Sequence, residues 1–156
     1  TEARLLTDRL GDAVAIADLF RPYGIRVHLS VSFAAPIRLA GLATADPLDP
    51  HVRAWWSTVA EHVYAAIPDF GGFVVKADSE GQPGPFQYGR SHADGANMLA
   101  DALAPTRWCG ALAGLRLQPP PGLAGPFDRP GPCGDGSLRP SRRPVRDNVI
   151  IQVKYG

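Results

Sequence analysis

Residues 73–90 read FVVKADSEGQPGPFQYGR, and the fold class turns on how this stretch is parsed. Its first residues, preceded by Gly72, form a short apolar run, Phe73-Val74-Val75, that predicts a buried strand. The run passes directly into three ionisable groups, Lys76, Asp78 and Glu80, and then into a loop rich in Gly and Pro. Parallel α/β enzymes present their chemistry in this way, at the carboxyl ends of buried strands that open into stiff loops.

On the amino-terminal side, residues 50–67 predict a helix that buries Val52, Trp55, Trp56, Val59, Val63, Tyr64 and Ile67. Asp49 supplies an acceptor at its N-cap and Pro50 fits its first turn. Pro68-Asp69 ends it, and Gly71-Gly72 turns the chain into the strand. Further upstream, Ile25, Val27, Leu29, Val31 and Phe33 alternate with Arg26, His28, Ser30 and Ser32, the period of a strand. Residues 34–37 then lead into a loop that ends at Pro50. Residues 5–20 carry apolar groups at helical spacing, with Thr7 and Asp8 as early caps and Pro22-Tyr23-Gly24 as the stop. Downstream, residues 93–104 predict another helix and residues 149–154 another buried strand. The order helix, strand, helix, strand, helix is the α/β alternation, whose parallel strands require right-handed crossovers.

The segments KADSEGQPGP, beginning at Lys76, and GRSHADGANMLADAL, beginning at Gly89, closely resemble the catalytic domain of glycoside hydrolase family 67, the α-glucuronidases that trim xylan. The resemblance implies a (β/α)8 barrel with parallel strands. Such a barrel takes ~250 residues, so residues 1–156 are expected to be a fragment of the catalytic barrel. Thr1 is not Met, which suits a chain cut from something longer. The implied reaction is inverting hydrolysis of the α-1,2 link between (4-O-methyl)glucuronic acid and the terminal xylose of glucuronoxylan oligosaccharides. A homodimer is one assembly open to the full-length enzyme.

In the family the glutamate of KADSE is the general acid, which assigns that role to Glu80. Glycosidic cleavage needs such a carboxylic acid to protonate the departing oxygen, and a second carboxylate on the opposite face. Read without the resemblance, Glu80 is equally a loop carboxylate capping a turn. Lys76 and Lys154 each end an apolar run, and the resemblance assigns both to the uronic acid carboxylate; singly, each is an ordinary solvated strand end. Asp78 lines the site, pairs with Lys76 or caps the loop. His92 lines the site or is a hydrogen-bonded structural histidine. Asp94 and Asn97 read as helix-start and packing groups. The last motif, Val153-Lys154-Tyr155-Gly156, differs from the family's more usual VKNG at Tyr155. The family's base, an aspartate, falls beyond Gly156, so the chain alone is expected to be inactive.

Residues 106–144 break the pattern. They contain no Ile, Val, Met, Tyr, Lys, Glu, Asn or His, yet eight prolines and both cysteines, Cys109 and Cys133. A disordered Pro/Gly insert is one reading. A translation out of frame is the stronger one. Shifted by one base, the codons of Leu112-Ala113-Gly114-Leu115-Arg116-Leu117-Gln118 permit Trp-Arg-Ala-Phe-Val-Tyr, close to a strand that family members share. The arginine of that strand, a further carboxylate partner, is then replaced in this translation by Ala113 and Gly114. The same shift near Pro144-Val145 permits Arg-Phe ahead of Arg146-Asp147-Asn148.

With 16 Lys+Arg against 15 Asp+Glu, the charge balance marks neither a nucleic-acid partner nor a membrane surface. There is no signal-peptide pattern, and both a cytoplasmic and a secreted location stay open. No His/Cys/carboxylate set has metal spacing, and no cofactor is implied. Trp55 and Trp56 suit a sugar platform or, more commonly at mid-helix, a core. Two rival functions remain: a class I aldolase using Lys76 as a Schiff-base amine, and a non-catalytic carbohydrate-binding module.

Overall fold

The computed structural model describes residues 6, 8–76, 83–104, 113–117 and 145–153. Helix α1 (Leu10–Phe20) leads through a 3-10 turn (Arg21–Tyr23) to strand β1 (His28–Val31). A short helix α2 (Ala35–Ala40) and the long helix α3 (Pro50–Ala66) precede strand β2 (Gly72–Lys76). A second 3-10 turn (Pro85–Tyr88) and helix α4 (His92–Leu103) follow, then strands β3 (Ala113–Leu117) and β4 (Val149–Val153). The four strands form one sheet in the order β1-β2-β3-β4, and each neighbouring pair is parallel. The α/β alternation expected from the sequence is therefore present.

The helices begin where local chemistry favours it. The Asp49 carboxylate accepts from the backbone N–H groups of His51 and Val52 at 2.8 and 3.1 Å, and Pro50 occupies the first turn of α3. Helix α4 starts with a capping box in which Ser91 accepts from the Asp94 N–H while the Asp94 carboxylate accepts from the Ser91 N–H. Asp94 is thus a helix-start group, as expected.

Several boundaries differ from the sequence reading. Helix α1 begins at Leu10, with Arg9 at its N-cap and no side-chain cap, so Thr7 and Asp8 do not start it. Residues 35–40, expected as loop, form α2; Pro36 sits in the first turn, where its missing N–H costs nothing. The alternation over residues 25–33 yields only four strand residues, because β1 pairs with β2 over four positions, His28–Gly72 to Val31–Val75. Ile25, outside the ladder, is 52% exposed.

Helices α1, α3 and α4 share a single core with one face of the sheet. Ala13 and Ala17 of α1, Val52, Trp56 and Val63 of α3, and Met98, Leu99 and Leu103 of α4 enclose Leu29, Val31, Phe73 and Val75. Each large aliphatic side chain so buried contributes about 1.5–3 kcal/mol. Trp56 is fully buried and meets Phe73 edge to face at 5.6 Å, which makes it core rather than a sugar platform. Trp55 lies half-buried against it. On the other face of β1, His28 and Ser30 are exposed. The His28 imidazole lies across Gly71, where a Cβ would collide with His28 Cε1.

Ion pairs tie the elements at their ends. Arg21 grips Asp69 through two nitrogens, at 2.9 and 2.8 Å, and this hydrogen bonding holds the Asp69 carboxyl below its ordinary value. Asp101 of α4 receives Arg53 of α3 at 2.9 Å and Arg146 at 3.0 Å. The Arg146 N–H also donates to Asn97 Oδ1 at 2.9 Å, and Asn148 Nδ2 donates to the Ala100 carbonyl at 3.1 Å. Helix α4 therefore seats the residues that enter β4, and Asn97 is the packing group the sequence suggested.

Candidate active site

The carboxyl ends of four parallel strands lie along one edge of the sheet. Lys76 is the last residue of β2, and its backbone is in register with Arg116, which is in turn in register with Gln152 of β4. Two inter-strand spacings, about 10 Å, separate the backbones of Lys76 and Gln152. The two strands that lead to Lys76 and Lys154 thus finish at the same edge. Asp78, Glu80 and Lys154 themselves lie outside the described residues.

His92 is the first residue of α4 and half-buried, with its ring edge-on to Phe86 at a centroid distance of 4.0 Å. Phe86 is itself 58% exposed. The structure brings His92 to the far end of the loop that carries Glu80, between β2 and α4.

That far end is tightly built. Pro85 is buried against Gly95 of α4, where an added Cβ would stand 2.7 Å from both Pro85 Cγ and Phe33 Cζ. Only a residue without a side chain lets α4 press this closely on the loops after β1 and β2. Two polar links cross between the same loops. The Ala45 N–H donates to the Tyr88 hydroxyl at 3.1 Å. Arg90 forks onto Asp46, with Nε at 3.0 and 3.2 Å from the two carboxylate oxygens and Nη2 at 2.9 Å. The side chains are 37% and 20% exposed, so the pair is only partly screened by water.

Asp46 is itself oriented. Its carboxylate accepts from the Leu48 N–H at 2.9 Å, and its own N–H donates to Thr44 Oγ1 at 3.0 Å. The hydrogen bonds from Arg90 hold the Asp46 carboxyl below the usual carboxylate value, against the opposing effect of burial. Sequence reasoning did not single out this pair. Its members stand 44 residues apart, in an Asp-Pro loop and just before a helix cap, and neither position carries a local sign of pairing.

Among the described residues no group of three or more His, Cys, Asp or Glu side chains could hold a metal ion. No helix among them is long and apolar enough to cross a membrane.

Residues 1–112 match the family model described as the glycosyl hydrolase family 67 middle domain. The alpha-glucuronidase A of Emericella nidulans is 55% identical over 102 residues, which is 65% of this chain and 12% of that protein. The probable alpha-glucuronidase A of Aspergillus oryzae is 52% identical over 104 residues, 66% of this chain and 12% of that protein. The probable alpha-glucuronidase A of Aspergillus fumigatus is 41% identical over 152 residues, 97% of this chain and 18% of that protein. The chain spans less than a fifth of the length of these curated relatives.

Proposed function

Because the chain belongs to glycosyl hydrolase family 67, we propose that the protein of which it is part is an α-glucuronidase acting on glucuronoxylan oligosaccharides. In this reading Glu80 protonates the xylose oxygen as the bond to the uronic acid breaks, and a carboxylate from beyond Gly156 activates the attacking water. Lys76 and Lys154 pair with the carboxylate that distinguishes a uronic acid from a neutral sugar. Inversion requires the two carboxyl groups ~6.5–9.5 Å apart, so that water fits between them. The observation that carries the reading is the position of Lys76, which starts the KADSE motif, at the last residue of a strand in an all-parallel sheet. That is where α/β enzymes seat their reacting groups.

The sheet is read as an arc of a (β/α)8 barrel, with residues 1–156 lying within its catalytic domain. Two features support this. The strand order runs in sequence without a reversal, whereas a doubly wound sheet has a switch point. The helices that form the core meet the face carrying Leu29, Val31, Phe73 and Val75, while His28 and Ser30 on the opposite face are exposed. A barrel wall has its helices outside and its lumen within.

Residues 106–144 are read as out of frame. The family match ends at residue 112, and the alignments of 102 and 104 residues carry 55% and 52% identity where the one of 152 residues carries 41%.

The functional test is Glu80→Gln in a full-length family 67 polypeptide carrying this segment. Turnover of aldouronic acids is expected to fall about 10²- to 10⁴-fold, the usual contribution of a positioned acid, with substrate affinity retained. Turnover within a few fold of the parent overturns the assignment.

A further inference from the structure

We propose that the uncovered side of helix α1, together with the free edge of strand β1, is the seat of the βα unit that directly precedes α1 in the full-length polypeptide. The inference needs only that the sheet continue past β1, as a barrel wall or as an open sheet. It therefore stands apart from the assignment of Glu80.

Helix α1 is apolar on two sides. In its sequence, LGDAVAIADLF, only Asp12 and Asp18 are charged. Ala13 and Ala17 enter the core against the sheet. Ile16, Leu19 and Phe20 do not, and with Tyr23 and Ile25 just after the helix they are 40–76% exposed. Among the described residues these are five of the seven exposed large hydrophobic side chains, so they form a patch rather than a scatter. A helix that is apolar all round is ordinarily buried all round.

The rim of the patch is already neutral. Arg9 pairs with Asp12 at 2.7 Å, and Arg21 pairs with both Asp18 and Asp69. The charges of α1 and of the turn after it answer one another, so the surface suits an apolar partner rather than an anionic one.

Topology says which apolar partner. The sheet runs β1-β2-β3-β4 in sequence order and is parallel throughout, which leaves β1 at its edge. Helix α3 leads into β2 and α4 toward β3, both over the core face. Helix α1 leads into β1 over that same face. A helix that feeds a parallel strand comes from a strand on its other side, through a right-handed crossover. The strand before α1 is thereby placed on the free edge of β1, and the helix before that strand on Ile16, Leu19 and Tyr23. The matching family model is described as a middle domain, and the match takes up only 18% of the Aspergillus fumigatus relative. Polypeptide to supply the unit is thus available in proteins of this family.

The test uses a full-length family 67 polypeptide carrying this segment. Photoreactive benzoylphenylalanine replaces Leu19 or, separately, Tyr23, where it substitutes one aromatic side chain for another. After irradiation of the native protein, peptide mapping is expected to place the adduct in the same chain, on a peptide preceding the position of Thr1. An adduct to a second chain, an adduct beyond Gly156, or none outside residues 1–156 overturns the seat. Leu19→Asp supplies a second measurement. It is expected to lower the thermal midpoint by about 2–4 °C or more, equally before and after about tenfold dilution. An unchanged midpoint, the mark of a solvated position, or a loss that depends on concentration overturns the seat as well. Neither readout involves turnover, so failure here leaves the α-glucuronidase reading standing.

Discussion

Gly95 shows how a single missing side chain fixes the geometry around the loop. A glycine inside a helix is ordinarily a weakness, about 1 kcal/mol worse than alanine. Here the sign reverses, because the alanine methyl would stand 2.7 Å from Phe33 and Pro85. Gly95→Ala is expected to lower the unfolding free energy by about 1–3 kcal/mol, the usual cost of overpacking, in urea denaturation of the polypeptide. A stability equal to or above that of the parent contradicts the close contact. At this scale the sequence offered candidates where residue types fall in contiguous motifs, Lys76, Asp78 and Glu80 in one and His92 in the next. It was silent on Asp46 and Arg90, whose partnership exists only once two loops are folded together.

The elements with strong end signals were the legible ones. Helix α3 was readable to within a residue, because Asp49-Pro50 at its start and Pro68 after its end are signals that depend on neighbouring atoms alone. Replacing Asp49 with alanine leaves two first-turn N–H groups without their acceptor. Asp49→Ala is expected to cost about 0.5–2 kcal/mol, read as a lower thermal midpoint with the helical circular dichroism of the folded state preserved. No change in midpoint counts against the cap. Helix α1 was misplaced at its start because polar residues such as Thr7 and Asp8 suit many positions, and packing of Ala13 and Ala17 decides which turn is used. The same holds for β1: alternation marks the residues able to line a strand, while the length of the ladder depends on the partner strand.

Over the whole molecule, sequence order predicted parallel strands and a mixed architecture, and composition alone isolated residues 106–144. The face that the helices cover was not readable, since alternating apolar residues specify one buried side without saying what lies on the other. The frame reading belongs to this scale and is tested at the gene. Two compensating single-base slips are expected, near Pro105 and near Val145; a coding sequence with one uninterrupted frame across both positions overturns it.

The seating of Arg146 and Asn148 on helix α4 has a bearing on how the final strand reaches the sheet. These attachments hold a short docking tag just before the final strand. A strand moored at its entry meets the sheet from a fixed berth on the neighbouring helix.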